Sequence, residues 1–567
     1  MTSLAGKLSE IVGKAFEEQG LPAELGAVRV SDRPDLCQFQ CNGAMAAAKV
    51  AKKNPREIAQ GLVDLLSRND VFAKVEIAGP GFINLDVADE YLQDHLGGVS
   101  ADDRAGVPVH DLDETVILDY GGPNIAKPMH VGHLRSSIIG DSLRRILKFT
   151  GYKTIGDVHM GDWGTPMGMI LSELDIRGHD GPVTMEQLAE IYPQAAADCK
   201  ADPERMEQAR AATKKLQDGD EEYTKRWRQF IDISVEGMKK NFDALGVHFD
   251  EWKGEADAHQ FIAPMIEALK AEGITAIDDG ALIIDVTQPD DKKEMPPLIL
   301  LKSDGAVMYS TTDMGTIVDR VKSHDPDKII YIVDQRQSLH FEQLFRAARK
   351  GGLVCEDVEL TFAGFGTMNG KDGKPFKTRA GGVMRLEDLI SDAVQKARER
   401  LKEVGLQDEF DIAQKVALAA IKFADLQNQR QSDYVFDLFK MTSFEGKTGP
   451  YLLYQAVRIQ SLLKKASDQG FEAGKDFVLQ DADKPLALLL AELPDHFENT
   501  VKNYTPHVLC DYAYKLAQAF SSFYGNCHIL SEEDEHVRAS RLALCAQTRK
   551  QLIMVLDVLG IEVPERM

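Results

Sequence analysis

No apolar run in the 567 residues approaches the length of a bilayer-crossing helix, so no membrane-spanning helix is expected. Cysteine is sparse and poorly spaced. There are seven (Cys37, Cys41, Cys199, Cys355, Cys510, Cys527 and Cys545), an odd and scattered set that excludes a disulfide framework. Cys37 and Cys41 are the one close pair, and without a second pair to complete a zinc site no bound metal is expected. Basic charge is short as well: 66 Lys and Arg stand against 90 Asp and Glu, for a net charge of −24. That balance argues against a broad nucleic-acid-binding face and leaves room only for local, salt-sensitive contact with RNA. Internal repeats and low-complexity tracts are absent, which removes repeat architectures. The first 21 residues lack the character of a signal peptide. They carry Glu10, Glu17 and Glu18, with Leu4, Leu8, Ile11, Val12 and Phe16 at helical spacing. An amphipathic surface helix and a cytoplasmic protein are expected.

What is present is ordinary globular material, 44% apolar and 28% charged, long enough for several domains. Residues 1–105 read as a small α/β unit, with helical patterns flanking 44–66 and strands over 71–87 around Gly79-Pro80-Gly81. Residues 106–380 alternate strand and helix. The apolar run Val116-Ile-Leu118 suits a buried parallel strand. The stripe Leu134, Ile138, Ile139, Leu143, Ile146, Leu147 predicts a helix over 132–149, and 154–160 reads as the next strand. Further strands are expected at 298–301, 329–333 and 360–365. A charged, helix-rich insertion is expected at about 175–270. From 381 to 567 helical patterns dominate and an all-α region is expected. The fold class is therefore α/β: a Rossmann-like parallel-sheet domain between a small N-terminal α/β domain and a C-terminal helical bundle.

The segment between the first strand and its helix carries the strongest chemistry. In Pro123-Asn124-Ile-Ala-Lys127-Pro-Met-His130-Val-Gly132-His133, two imidazoles and a glycine meet a helix N-terminus, where free N–H groups favour phosphate. Imidazoles there can donate to a phosphate gaining charge in a transition state, and Gly132 lets a flat base approach the backbone. Two histidines capping a helix by chance is the alternative. The pattern resembles the HIGH signature of class I aminoacyl-tRNA synthetases, and the longer string from Asp119 to Asp141 is similar to the arginine-specific members of bacterial type.

A second candidate is Lys374-Pro-Phe-Lys377-Thr-Arg379, in a polar loop flanked by Gly373 and Gly381-Gly382. Lysines there can close over a triphosphate and offset charge on departing pyrophosphate. Taken alone, it reads rather as a solvated basic loop, since charge runs are common on surfaces. Beside the first motif it resembles the second class I signature, KMSKS, from which it departs at the third and last positions. The resemblance implies that Lys127 shares the phosphate role. Other phosphate motifs fail. Gly446-Lys447-Thr448 has Met441 where the P-loop needs glycine, and Gly364-Phe-Gly366 meets its next glycine, Gly370, one residue late.

An arginine ligand needs carboxylates for its fork of donors, placed at strand ends. The resemblance implies Tyr309 and Asp313 near the guanidinium, Asn124 and Gln337 near the amino and carboxylate end, and Asp119 as a further acidic contact. The string His159-Met-Gly-Asp162-Trp163-Gly164 also resembles the family and is read as packing around the pocket. For RNA, the resemblance points to Phe82 and Asn84 after Gly79-Pro80-Gly81, meeting a loop nucleotide of tRNA, and to Tyr454, Arg458 and Met567 in an anticodon-binding bundle. A core Phe with a turn-capping Asn is the alternative for the first pair.

The resemblance thus implies an ATP-dependent arginine–tRNA ligase. It would form arginyl-adenylate and transfer it to the 3′-terminal adenosine of tRNA-Arg. Its catalytic residues would be His130, His133, Lys127 and Lys377, and its ATP contacts His130, Gly132, His133, Lys374 and Lys377. Mg²⁺ is expected to arrive with ATP, with no tightly bound metal or prosthetic group and no membrane partner. A monomer is expected, and the family implies that tRNA is needed for activation. Three alternatives stand: an H-x-G-H nucleotidyltransferase of another substrate, a synthetase for another amino acid, and a non-catalytic tRNA-binding paralogue.

Overall fold

The run Val116-Ile-Leu118 is the centre of a parallel sheet buried on both faces, as its lack of polar alternation predicts. The structure is a computed structural model and describes residues 3–110, 113–374, 376, 384–403, 405 and 410–567. Its contacts define two units. One comprises Met1–His110, Phe444–Asp557 and Glu562–Met567, the other Asp111–Ser443 and Val558–Ile561.

The first unit contains a four-stranded antiparallel sheet from β1 (Val28–Val30), β2 (Phe39–Cys41), β3 (Phe72–Ala78) and β4 (Phe82–Val87), in the order β1-β2-β4-β3. Period-two burial sorts β4: Ile83, Leu85 and Val87 are core, while Phe82, Asn84 and Asp86 are half-buried on the other face. The N-terminal pattern becomes the helix Leu4–Glu18, with Leu4, Leu8, Val12 and Phe16 buried and the Ser3 hydroxyl capping the Gly6 N–H. Gly449–Asp468, His507–Asn526 and Glu535–Val558 are the long helices of the same unit. Sequence patterning separates 1–105 from the C-terminal helices, whereas the structure packs them in one unit. Lys484 pairs with Asp89 at 3.0 Å and Lys550 Nζ donates to the Asp102 carbonyl at 2.7 Å, so the helix Asp89–Ala101 is held at both ends.

The second unit is built on β5 (Thr115–Asp119), β6 (Lys153–Met160) and β7 (Glu251–Gly254). A small antiparallel sheet of β8 (Thr275–Asp278), β9 (Ala281–Ile284) and β10 (Leu298–Leu301) follows. Then β11 (Lys328–Tyr331) and β12 (Glu359–Phe362) complete a parallel sheet of order β12-β11-β5-β6-β7. Asp119 stands in register with Asp157 of β6 and Tyr331 of β11. Last come β13 (Met368–Asn369) and β14 (Tyr434–Val435), paired in parallel.

Two expected boundaries move. The helical insertion Met185–Ala201, Pro203–Gln217, Glu221–Leu245 ends before 270, because β7 already rejoins the sheet at Glu251. The helices Leu386–Glu403 and Phe410–Leu426, together with β14, lie in the second unit, so the expected division at 380/381 falls inside it. The cause is a buried charge. Arg135, on the helix Leu134–Phe149, pairs with Asp425 at 3.1 Å and donates to the carbonyls of Gly366 and Ser432 at 2.7 and 3.0 Å. A buried guanidinium must be matched in this way, and two of its partners, Asp425 and Ser432, come from beyond residue 380. All seven cysteines are free, and no helix among the described residues is long and apolar enough to cross a membrane.

Candidate functional site

The site begins where β5 ends. Tyr120 leaves the strand and packs against the helix Leu134–Phe149 so closely that a Cβ at Gly140 would lie 2.1 Å from its ring. Ser136 Oγ receives the Gly121 N–H at 2.9 Å and donates to the Ile332 carbonyl at 2.7 Å, which ties the loop to the sheet. Asn124 forms a parallel bridge with Gly161. The Ile125 N–H donates to the Gly161 carbonyl, and a side chain at 161 would collide with Asn124 Oδ1, 2.0 Å from an added Cβ. The string 159–164 therefore supports Asn124 directly.

His130 and His133 meet with ring centroids 4.1 Å apart. Each Nδ1 accepts a backbone N–H: His133 from His130 itself at 3.1 Å, and His130 from Gly132 at 3.1 Å. A neutral imidazole that accepts at Nδ1 carries its proton on Nε2, so both rings are held as Nε2–H donors. The neutral form is favoured. Burial first, then His130, brings His133 down to about 3, and burial followed by Lys127 lowers His130. Gly132 sits beside the His130 ring, 2.7 Å from where its Cβ would be, so a side chain there would displace the imidazole.

The chain following the second motif is fastened to the first. His130 forms an antiparallel bridge with Arg385, the Val131 N–H donates to the Met384 carbonyl at 3.0 Å, and the Leu386 N–H donates to Met129 at 3.1 Å. Lys374 is exposed in a turn closed by the Gly370 N–H on its carbonyl at 2.8 Å. Lys377, Thr378 and Arg379 lie outside the described residues. Lys127 is exposed and lines a cavity of about 240 Å³ with Met129, Glu186, Lys240 and Arg385.

The acidic end is built on the helix Tyr309–His324. Tyr309 and Asp313 are one turn apart and share a face. His340 Nε2 lies 2.7 Å from Asp313 Oδ2, and its ring is 4.7 Å from the exposed ring of Tyr309. Gln337 is exposed at the end of the short turn Gln335–Gln337, just before the helix carrying His340. Asp119 is buried, and its Oδ2 already accepts from Arg320 at 2.7 Å. Burial pushes the Asp119 carboxyl up, and Arg320 opposes that.

Glu255 is a group the sequence reading missed. It opens the helix Glu255–Ala271 immediately after β7, and burial, then Asp162, then Asp313 raise it to about 7. Asp162 is raised to about 6, chiefly by burial, and its Oδ1 accepts the Ala256 N–H at 2.9 Å. His159 acts electrostatically on both Asp119 and Asp162. Asp119, Asp162, Glu255 and Asp313 thus belong to one acidic basin at the carboxyl ends of β5–β7, the place where open parallel sheets hold ligands. The signal for Glu255 was a carboxylate after Glu251-Trp-Lys-Gly254, legible only once that segment is known to be a strand.

In the first unit, Asn84 Oδ1 accepts from Gln40 Nε2 at 2.9 Å on the half-exposed sheet face that also carries Phe82. Tyr454 is exposed on the helix Gly449–Asp468. Arg458, one turn on, stacks over Tyr524 at 4.3 Å, a second aromatic that sequence reading left unassigned. Met567 is half-buried at the chain end.

Residues 99–438 match the family model described as tRNA synthetases class I (R), catalytic domain, so the parallel sheet with its H-x-G-H turn is that of a class I aminoacyl-tRNA synthetase. Residues 2–87 match the arginyl tRNA synthetase N terminal domain, and residues 452–567 the DALR anticodon binding domain. The arginine–tRNA ligase of Maricaulis maris is 49% identical over 100% of both chains, and that of Alkaliphilus oremlandii 45% over 100% of both. The chain belongs to the arginyl-tRNA synthetase family. The crystal structure of the Plasmodium falciparum arginyl-tRNA synthetase shares its fold, with a TM-score of 0.84 at 24% identity over 100% of both chains.

Proposed function

We propose that the chain activates L-arginine with ATP and transfers it to tRNA-Arg, and that the residues expected from sequence carry the two steps. An arginine carboxylate oxygen attacks the α-phosphorus of ATP. The bond from that phosphorus to the bridging oxygen breaks, and pyrophosphate leaves. The terminal ribose 2′-hydroxyl of tRNA then attacks the acyl carbon, and AMP departs with the bonding pair. His130 and His133 donate from Nε2–H to the α-phosphate as it gains charge. Lys127, Lys374 and Lys377 offset charge on the departing pyrophosphate. Gly132 leaves room for the adenine face. Mg²⁺, carried on ATP, neutralises phosphate oxygens. Asp313, Tyr309 and Glu255 receive the guanidinium, while Asn124, Gln337 and Asp119 orient the ammonium and carboxylate.

The observation that carries this reading is the pair of Nδ1 contacts at 3.1 Å, which leave both signature imidazoles as neutral donors aimed by their backbone. The basin of four carboxylates favours a doubly cationic amino acid over the alternatives. Phe82 and Asn84 meet a tRNA loop nucleotide, and Tyr454, Arg458, Tyr524 and Met567 meet the anticodon, since exposed aromatics and a stacked guanidinium suit unpaired bases. The protein works in the cytoplasm as a monomer. Arginine-dependent exchange of pyrophosphate into ATP, with and without tRNA-Arg, tests the reaction. Exchange supported by another amino acid and not by arginine would sink it.

A further inference from the structure

The helix Tyr309–His324 carries a cationic side chain further along the stripe that presents Tyr309 and Asp313. Arg320 is seven residues beyond Asp313, and two turns of helix bring it back to the same face about 10.5 Å away. It is 1% exposed and lies across β5 and β6. Nη2 donates to Asp119 Oδ2 at 2.7 Å and to Asp157 Oδ2 at 2.6 Å, and Nε donates to Asp157 Oδ2 at 3.2 Å. The guanidinium carbon sits 5.3 Å from the Tyr331 ring centroid. Tyr331, Asp119 and Asp157 are register partners on β11, β5 and β6, so one side chain spans three adjacent strands. Thr316, between Asp313 and Arg320 on the stripe, is 3.4 Å from His159 Nε2.

Stability alone does not account for this arrangement. A buried ion cluster is often no more stable than an apolar replacement of similar volume, because desolvation cancels much of the attraction. Its distinctive property is geometric: a planar fork bonded to two carboxylates has one orientation. Burial works against the charge on Arg320, but Asp119 and Asp157 hold it protonated, well above the usual guanidinium range. The clamp also sorts the carboxylates of the basin. Asp119 and Asp157 are matched from within by Arg320, while Asp313, Glu255 and Asp162 take no part in the clamp.

We propose that Arg320 is a positioning residue for arginine recognition: by clamping Asp119 and Asp157 it sets the register of the helix that carries Tyr309 and Asp313, and it fixes the Asp119 carboxylate at the other end of the pocket. This rests on the reading that arginine binds at Asp313, Tyr309 and Asp119. Its consequence is confined to one substrate. A slip of the helix along its axis misplaces the guanidinium contacts and leaves the imidazole pair on its own loop untouched.

The test uses the full-length protein with tRNA-Arg and follows pyrophosphate exchange for Asp157→Asn and Arg320→Lys. The first is isosteric; the second keeps the charge but loses the fork. Lys253→Met is the control. It breaks the 2.9 Å ion pair between Lys253 and Asp319, which ties the same helix to β7 without touching the clamp. Both clamp variants are expected to raise KM for arginine roughly ten-fold, with kcat and KM for ATP within about two-fold. Lys253→Met should change none of the three. The proposal is overturned if the clamp variants leave KM for arginine unchanged, if all three parameters move together, or if Lys253→Met reproduces the rise. Asp313→Ala separates the two levels. Unchanged arginine KM there defeats the pocket reading, whereas a raised value beside an unaffected Asp157→Asn defeats this inference alone.

Discussion

The two ends of the active site solve opposite electrostatic problems. At the imidazole end the groups are neutral, fixed by backbone N–H contacts at 3.1 Å, and useful only when a phosphate gains charge. At the carboxylate end, burial first and neighbouring acids second raise Glu255 to about 7 and Asp162 to about 6. One end offers neutral donors beside Lys127 and serves the transition state. The other is rich in charge and serves the ground state. The contrast predicts that variants at the two ends move different kinetic constants.

The largest effect belongs to the imidazole end. His133→Ala should slow adenylate formation by roughly 10²–10³-fold with KM for arginine nearly unchanged, measured by pyrophosphate exchange beside a circular-dichroism check of folding. Unchanged activation would remove the distinction. At the other end, Asp313→Ala should raise KM for arginine by roughly 10–10²-fold, the scale of a lost charge-assisted contact, with a much smaller change in kcat. A mainly kcat effect there would merge the two ends into one.

A third prediction concerns pH. A carboxylate raised to about 7 is neutral below that value and charged above it, so the pull on a guanidinium fades as pH falls. KM for arginine should therefore climb on lowering pH from 8 to 6, by up to about ten-fold per pH unit on the acid limb, and Glu255→Gln should flatten that limb. No limb near the usual imidazole range should come from His133, which is held down to about 3. A flat arginine KM in the parent protein would show that Glu255 does not face the ligand. The smallest effect should touch neither end. Arg458→Ala, which unstacks Tyr524, should raise KM for tRNA by roughly five-fold and leave arginine and ATP constants alone.

How far such a site can be read from sequence depends on whether its parts are local. The H-x-G-H turn, Asn124 and Lys127 lie within one strand–turn–helix, and a continuous apolar run and a helical stripe fix that unit in any context. Tyr309 and Asp313 were legible only through the family resemblance, and the structure adds that one helical turn separates them. Glu255 was not, since the strand before it is only four residues long and mixes Glu, Trp, Lys and Gly, a pattern without period. Arg320 escaped for another reason. Its partners are 163 and 201 residues away in sequence, and nothing near it marks it as buried. The boundary after 380 failed in the same way. Helical periodicity says where helices are, and the Arg135–Asp425 pair says which core they join.

The first unit draws on both ends of the chain, and this has a consequence in time. Residues 1–110 leave the ribosome before Asp111–Ser443, and Lys484 and Lys550, which hold the helix Asp89–Ala101, are made only after that stretch. At about 5–20 residues per second that interval is on the order of tens of seconds. During synthesis the N-terminal sheet must persist with its later partners missing. Its antiparallel hairpin β3–β4, closed within a few residues, is the kind of low-contact-order element that can form and wait.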